Sequence, residues 1–79
     1  MQKSITALTI KTRDKPGLLA QIGKAFEELN VRVHKAQIIT LGHQVEDVFF
    51  ITDRENKPFK SRQQQIKLRQ RILFYLEGP

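Results

Sequence analysis

The feature that limits this chain most is a single helix pattern set between two runs of β-branched residues. Residues 4–12 (SITALTIKT) carry Ile5, Thr6, Thr9, Ile10 and Thr12 with no internal Gly or Pro, and residues 31–41 (VRVHKAQIITL) are also β-branched. Both read as strands, because branched side chains suit a pleated surface. Between them Leu18, Leu19, Ile22, Ala25, Phe26 and Leu29 recur at helical spacing, with Gln21, Lys24, Glu27 and Glu28 on the other side. The apolar stripe is predicted to cover one face of a sheet. Strand, helix and strand in this order make a right-handed crossover between parallel strands. Asn30, which tolerates the left-handed conformation, ends the helix.

The rest of the chain completes the topology. Gly42-His43 separates the second strand from residues 44–52 (QVEDVFFIT), where Val45, Asp47, Phe49 and Ile51 alternate with Glu46, Val48, Phe50 and Thr52. A short glycine turn between two such runs predicts an antiparallel hairpin. Residues 53–58 (DRENKP) form a turn, and Ser61 followed by Gln64 is a candidate capping box for a second helix, with Leu68, Ile72, Tyr75 and Leu76 as its buried stripe and Ile66 and Leu73 beside it. The order β-α-β-β-α predicts an α+β, ferredoxin-like sandwich: an antiparallel sheet with both helices on one face, lacking its last strand. The fourth strand would pair with the free side of the first, so the exposed edge is expected to take a strand from another chain or from a segment upstream of Met1.

Composition narrows the function. Seventy-nine residues at 39% hydrophobic content suit one domain, of a size at which a small core makes association common. With no cysteine, and with His34 and His43 far outside zinc spacing, a metal site is not expected. The chain has neither a membrane-length apolar run nor a signal-peptide pattern, and is read as cytoplasmic with no membrane partner. The formal charge of +6 is concentrated between Lys57 and Arg71, where six basic residues occur with no acidic one. Such a run fits a solvated helix face or a dock for an acidic neighbour better than a nucleic-acid site. Base stacking would need aromatics on the two central strands, yet the first strand has none and Phe49 and Phe50 point to opposite faces. Glu46 and Asp47 likewise lie on opposite sides, so they form no catalytic carboxylate pair, and Asp47 requires a partner if it is buried. No acid, base and nucleophile set is recognisable, and neither a catalytic residue nor a cofactor is expected.

One corner carries the binding chemistry. In Asp14-Lys15-Pro16-Gly17 the proline suits the first helical position, and the residue before it is held extended. Gly17, Leu18 and Leu19 then offer amides with no intrahelical partner at the positive end of a helix, able to hold a carboxylate or phosphate. Alternatively, Asp14 caps the helix with its own carboxylate and no ligand is needed.

Residues 8–53 resemble an ACT domain, the small amino-acid-sensing module of metabolic regulators. The segments RDKPGLL, KAQIITLG and VEDVFFITD, in this order, resemble more narrowly the last ACT domain of bifunctional uridylyltransferase/uridylyl-removing enzymes, which modify the nitrogen-regulatory PII protein. The resemblance implies that residues 1–79 are a single regulatory domain from the C-terminal part of a larger enzyme, without cofactor or catalytic residues of its own. It implies an amino-acid ligand, glutamine first, at a seam with a second ACT domain or in a homodimer, and contacts with the parent's catalytic domains. The implied ligand residues are Thr12, Asp14, Lys15, Gly17, Leu18 and Leu19, with Asp14 holding the ammonium, and Arg32 serving a neighbour's loop. The chain departs from the family pattern in lacking the fourth strand and in placing Arg32 where many ACT domains have a small polar residue. Arg32 can pair with a ligand carboxylate or with Asp14.

Overall fold

A computed structural model describes residues 5–13 and 17–77. Its elements are β1 (Thr6–Arg13), α1 (Leu18–Glu28), β2 (Arg32–Leu41), β3 (Gln44–Thr52) and α2 (Arg62–Glu77). They form the expected three-stranded sheet in the order β1-β3-β2, with β3 antiparallel to both neighbours. Thus β1 and β2 are parallel across β3, as the crossover requires.

Alternation along β3 sets the core. Val45, Asp47, Phe49 and Ile51 all point inward and are buried, because successive side chains of a strand leave opposite faces. Leu18, Ile22, Ala25 and Phe26 of α1 and Leu68 and Ile72 of α2 close over them, together with Ile10 and Phe59. Phe26 meets Phe49 edge to face, with ring centroids 5.1 Å apart and planes at 82°, the geometry that ring quadrupoles favour.

Local chemistry explains the boundaries. At the end of α1, Val31 N–H donates to the Phe26 carbonyl at 2.8 Å and Asn30 N–H to the Glu27 carbonyl at 3.3 Å, while Asn30 adopts φ 56°. This is a Schellman stop, and it satisfies carbonyls that the helix leaves open. Gly42 turns the β2–β3 hairpin at φ 63°. After it, Asp53 accepts from the amides of Glu55 and Lys57 at 2.8 and 2.9 Å, building the turn from a side chain. Ser61 accepts from Gln64 N–H at 3.4 Å, which is one half of the expected capping box.

Four details correct the sequence expectations. The described part of β1 runs to Arg13, one residue beyond the expected end. Helix α1 begins at Leu18, two residues later than expected, with Gly17 as its left-handed N-cap; Asp14, Lys15 and Pro16 lie outside the described residues. Leu19, assigned to the apolar stripe, is 51% exposed, because only one side of the first turn meets the sheet. The pairing of β2 with β3 also shifts between Val33 and Lys35, a bulge at His34, whose Nε2 lies 2.7 Å from the Thr52 hydroxyl. Such an extra residue changes which side chains share a face.

On the free side of β1, a groove of about 690 Å³ runs along Thr6–Thr12 and is walled by Ile66, Leu73 and Leu76 of α2. Ile66 and Leu73 are exposed because no fourth strand lies beneath them among the described residues. No helix among these residues is long and apolar enough to cross a membrane.

Candidate functional site

The mouth of α1 meets one end of the sheet. In register, Thr12 pairs with Val45 and Arg13 with Gln44 on β3, while Thr40 pairs with Val45 on the other side. Gly17 to Ala20, Ile38 and Thr40 of β2, and Val45 and Asp47 of β3 line an open cavity of about 280 Å³.

The first amides of the helix lack intrahelical partners. The first intrahelical bond is donated by Gln21 N–H to the Gly17 carbonyl at 3.0 Å, so the N–H groups of Gly17, Leu18, Leu19 and Ala20 have no partner within the helix. Among the described residues no side-chain hydrogen bond caps the helix, and its first turn carries no acidic residue. The positive end of the helix dipole is therefore not neutralised by its own first turn.

Gly17 has φ 79°, and a Cβ built there would touch nothing within 4 Å. Conformation, not crowding, demands glycine at this position. Gly17→Ala is expected to lower stability by about 1–2 kcal/mol, the cost of a left-handed L-residue, and urea titration reads it directly as a shifted midpoint with unchanged slope.

Three buried side-chain oxygens have no hydrogen-bond partner among the described residues: Thr12 Oγ1 and both carboxylate oxygens of Asp47. All three belong to this end of the inner face. Thr12 and Asp47 are diagonal neighbours across the β1–β3 ladder, since Ile10 pairs with Asp47 and Thr12 with Val45. Asp47 is 1% exposed, and removal from water pushes its pKa above the ordinary value of 3.8. The sequence demands a partner for this residue, and the described structure supplies none.

The residues implied by the resemblance are not all brought together. Gly17, Leu18 and Leu19 line the cavity, Leu18 turning its side chain into the core and Leu19 outward. Thr12 closes the same end of the sheet, whereas Asp14 and Lys15 lie outside the described residues. Arg32 stands at the opposite end, paired in register with Thr52. Its guanidinium donates to Asn56 Oδ1 at 3.2 Å and to the Arg54 carbonyl at 3.5 Å. Within one chain, Arg32 therefore takes no part in this corner.

Comparison with known proteins agrees with this architecture. Residues 6–67 match the ACT domain family. Over 77 residues, 98% of this chain, the sequence is 45% identical to a bifunctional uridylyltransferase/uridylyl-removing enzyme of Pseudomonas entomophila (strain L48) and to one of Pseudomonas putida (strain W619). It is 42% identical over the same span to another of Hydrogenovibrio crunogenus (strain DSM 25203 / XCL-2). The chain spans 9% of the length of each of these relatives.

Proposed function

The chain belongs to the ACT domain family, and from that premise we propose that it is the regulatory amino-acid-sensing domain of a cytoplasmic uridylyltransferase/uridylyl-removing enzyme acting on a PII protein, with glutamine as its ligand. The observation that carries this reading is the mouth of α1, where four amides without intrahelical partners, and with no side-chain cap among the described residues, adjoin a cavity of about 280 Å³. A ligand carboxylate on those amides gains both hydrogen bonds and the helix dipole. The domain itself performs no chemistry; it reports occupancy to catalytic domains elsewhere in the parent enzyme.

Strand β2 supports a paired arrangement. It is an edge strand, exposed along all ten of its residues, and such an edge is a template for another strand. Antiparallel pairing of two β2 edges about Ala36 and Gln37 sets Arg32 of a second copy opposite Leu41 of the first, beside the mouth of α1. The separation of Arg32 from the corner within one chain then becomes proximity between two copies. A ligand bound at that seam shifts the parent between two domain arrangements in proportion to its difference in affinity for them.

Calorimetric titration of L-glutamine into this chain and into a tandem pair of ACT domains tests the proposal. Heat of binding is expected in at least the tandem form. Absence of heat in both, together with unchanged glutamine control in a parent enzyme carrying Gly17→Val, overturns it.

A second reading is favoured by the groove along β1, whose α2 wall carries Arg62 and Arg69: a domain that docks an acidic strand-like segment and has no ligand of its own. Sedimentation at rising salt separates the two, since docking of this kind weakens as charges are screened.

A further inference from the structure

We propose that Asp47 is the ammonium anchor of the site at the mouth of α1, which makes the cavity selective for a zwitterionic α-amino acid; this rests on the amino-acid-binding reading above. The argument is one of charge complementarity. Asp47 lines the same cavity as Gly17 to Ala20, yet neither of its oxygens has a hydrogen-bond partner, helix amides included, among the described residues. A negative group and the positive end of a helix thus share one space without touching.

The described surroundings offer no substitute. Asp47 is flanked in the ladder by Ile10 on β1 and Ile38 on β2, and no other titratable side chain lines the cavity among the described residues. A lone cation would satisfy Asp47 but be repelled by the helix, and a lone anion would meet the reverse. A molecule carrying both signs on adjacent atoms satisfies both, with its carboxylate on the amides and its ammonium on Asp47, where the Thr40 hydroxyl is a second acceptor. Leu19 and Ile38, each about half exposed, form the rim, so they can change rotamer to admit the ammonium without opening the core.

The test compares L-glutamine with its 2-oxo acid and its α-amide, and wild type with Asp47→Asn, Asp14→Asn and Glu46→Gln, by calorimetry and thermal unfolding. Wild type is expected to bind glutamine and neither analogue. Asp47→Asn is expected to weaken binding by on the order of 10- to 100-fold, the range for loss of one charged hydrogen bond, while unfolding at the same or a higher temperature. Glu46→Gln, on the opposite face of β3, binds as wild type does. Binding by Asp47→Asn within twofold of wild type overturns the proposal and leaves the glutamine reading standing. A larger loss in Asp14→Asn than in Asp47→Asn transfers the ammonium to Asp14 and also overturns it. If wild type prefers another α-amino acid with the same dependence on Asp47, this inference holds and the glutamine assignment falls. If none of the twenty amino acids binds, both fall.

Discussion

Ile51→Ala is expected to remove most of the stability of this domain. Ile51 is fully buried at 0% exposure and sits on the central strand, paired in register with Thr6 on one side and Val33 on the other. Truncating a buried isoleucine to alanine loses the transfer free energy of the missing carbons and leaves a cavity, together about 2–5 kcal/mol. A chain of 79 residues holds in total only about 4–12 kcal/mol, at 0.05–0.15 per residue. The urea midpoint should therefore fall by a large fraction of its wild-type value, with the slope preserved. Ile38→Ala is the counterpart. That residue lies on the edge strand and is 53% exposed, so its loss should cost less than about 1 kcal/mol. Similar shifts for the two variants would contradict the layered core described above.

Asp47→Leu is expected to act in the opposite direction and stabilise the unliganded protein at neutral pH. It replaces a buried carboxylate that has no partner among the described residues by an apolar side chain suited to its apolar neighbours Ile10 and Ile38. An unsatisfied buried polar group costs about 1–3 kcal/mol, and a charged one more, so a gain of that order should follow. The pH dependence identifies the cause. Below the ordinary carboxylate value of 3.8, folded and unfolded chains both hold the proton and Asp47 contributes nothing. As pH rises past that value, the unfolded chain releases its proton first, because burial raises the folded-state pKa. The folded chain then binds more protons than the unfolded one, and stability falls with rising pH until the raised pKa is passed. Above it the full penalty stands. The stability difference between Asp47→Leu and wild type should thus be smallest in acid and grow towards neutral pH. A difference that stays constant across this range would mean that Asp47 is not the strained group. Saturating ligand should shrink the difference at neutral pH, since an ammonium on Asp47 supplies the partner that it otherwise lacks.

The two predictions share a physical origin. Ile51 shows what this small core depends on, and Asp47 shows where stability is given up. A buried carboxylate with no partner among the described residues is expected to destabilise the resting domain, and the proposed ammonium would relieve that cost. Exposed amides at a helix mouth are common; under the proposal above, amides and a carboxylate that line one cavity favour a species bearing both signs.

The order of elements, the hairpin at Gly42-His43, the helix stop at Asn30 and the inward set of β3 were legible in the sequence, because each rests on periodicity or turn chemistry within a single element or between consecutive ones. So was the place of β1 at an edge of the described sheet. The start of α1 was misplaced by two residues because Pro16 suits a first helical turn, whereas the left-handed Gly17 made Leu18 the first helical residue. The outward turn of Leu19, the bulge at His34 and the stationing of Arg32 far from Gly17 carry no local signal at all. They follow from how α1 sits on the sheet and how β2 registers against β3. Asp47 shows the division most clearly: alternation along its strand declares that it points inward, but only the tertiary structure decides whether a partner waits there. That partner would have to come from β1, β2 or α1, and short-range patterns carry no information about what distant segments place opposite one another.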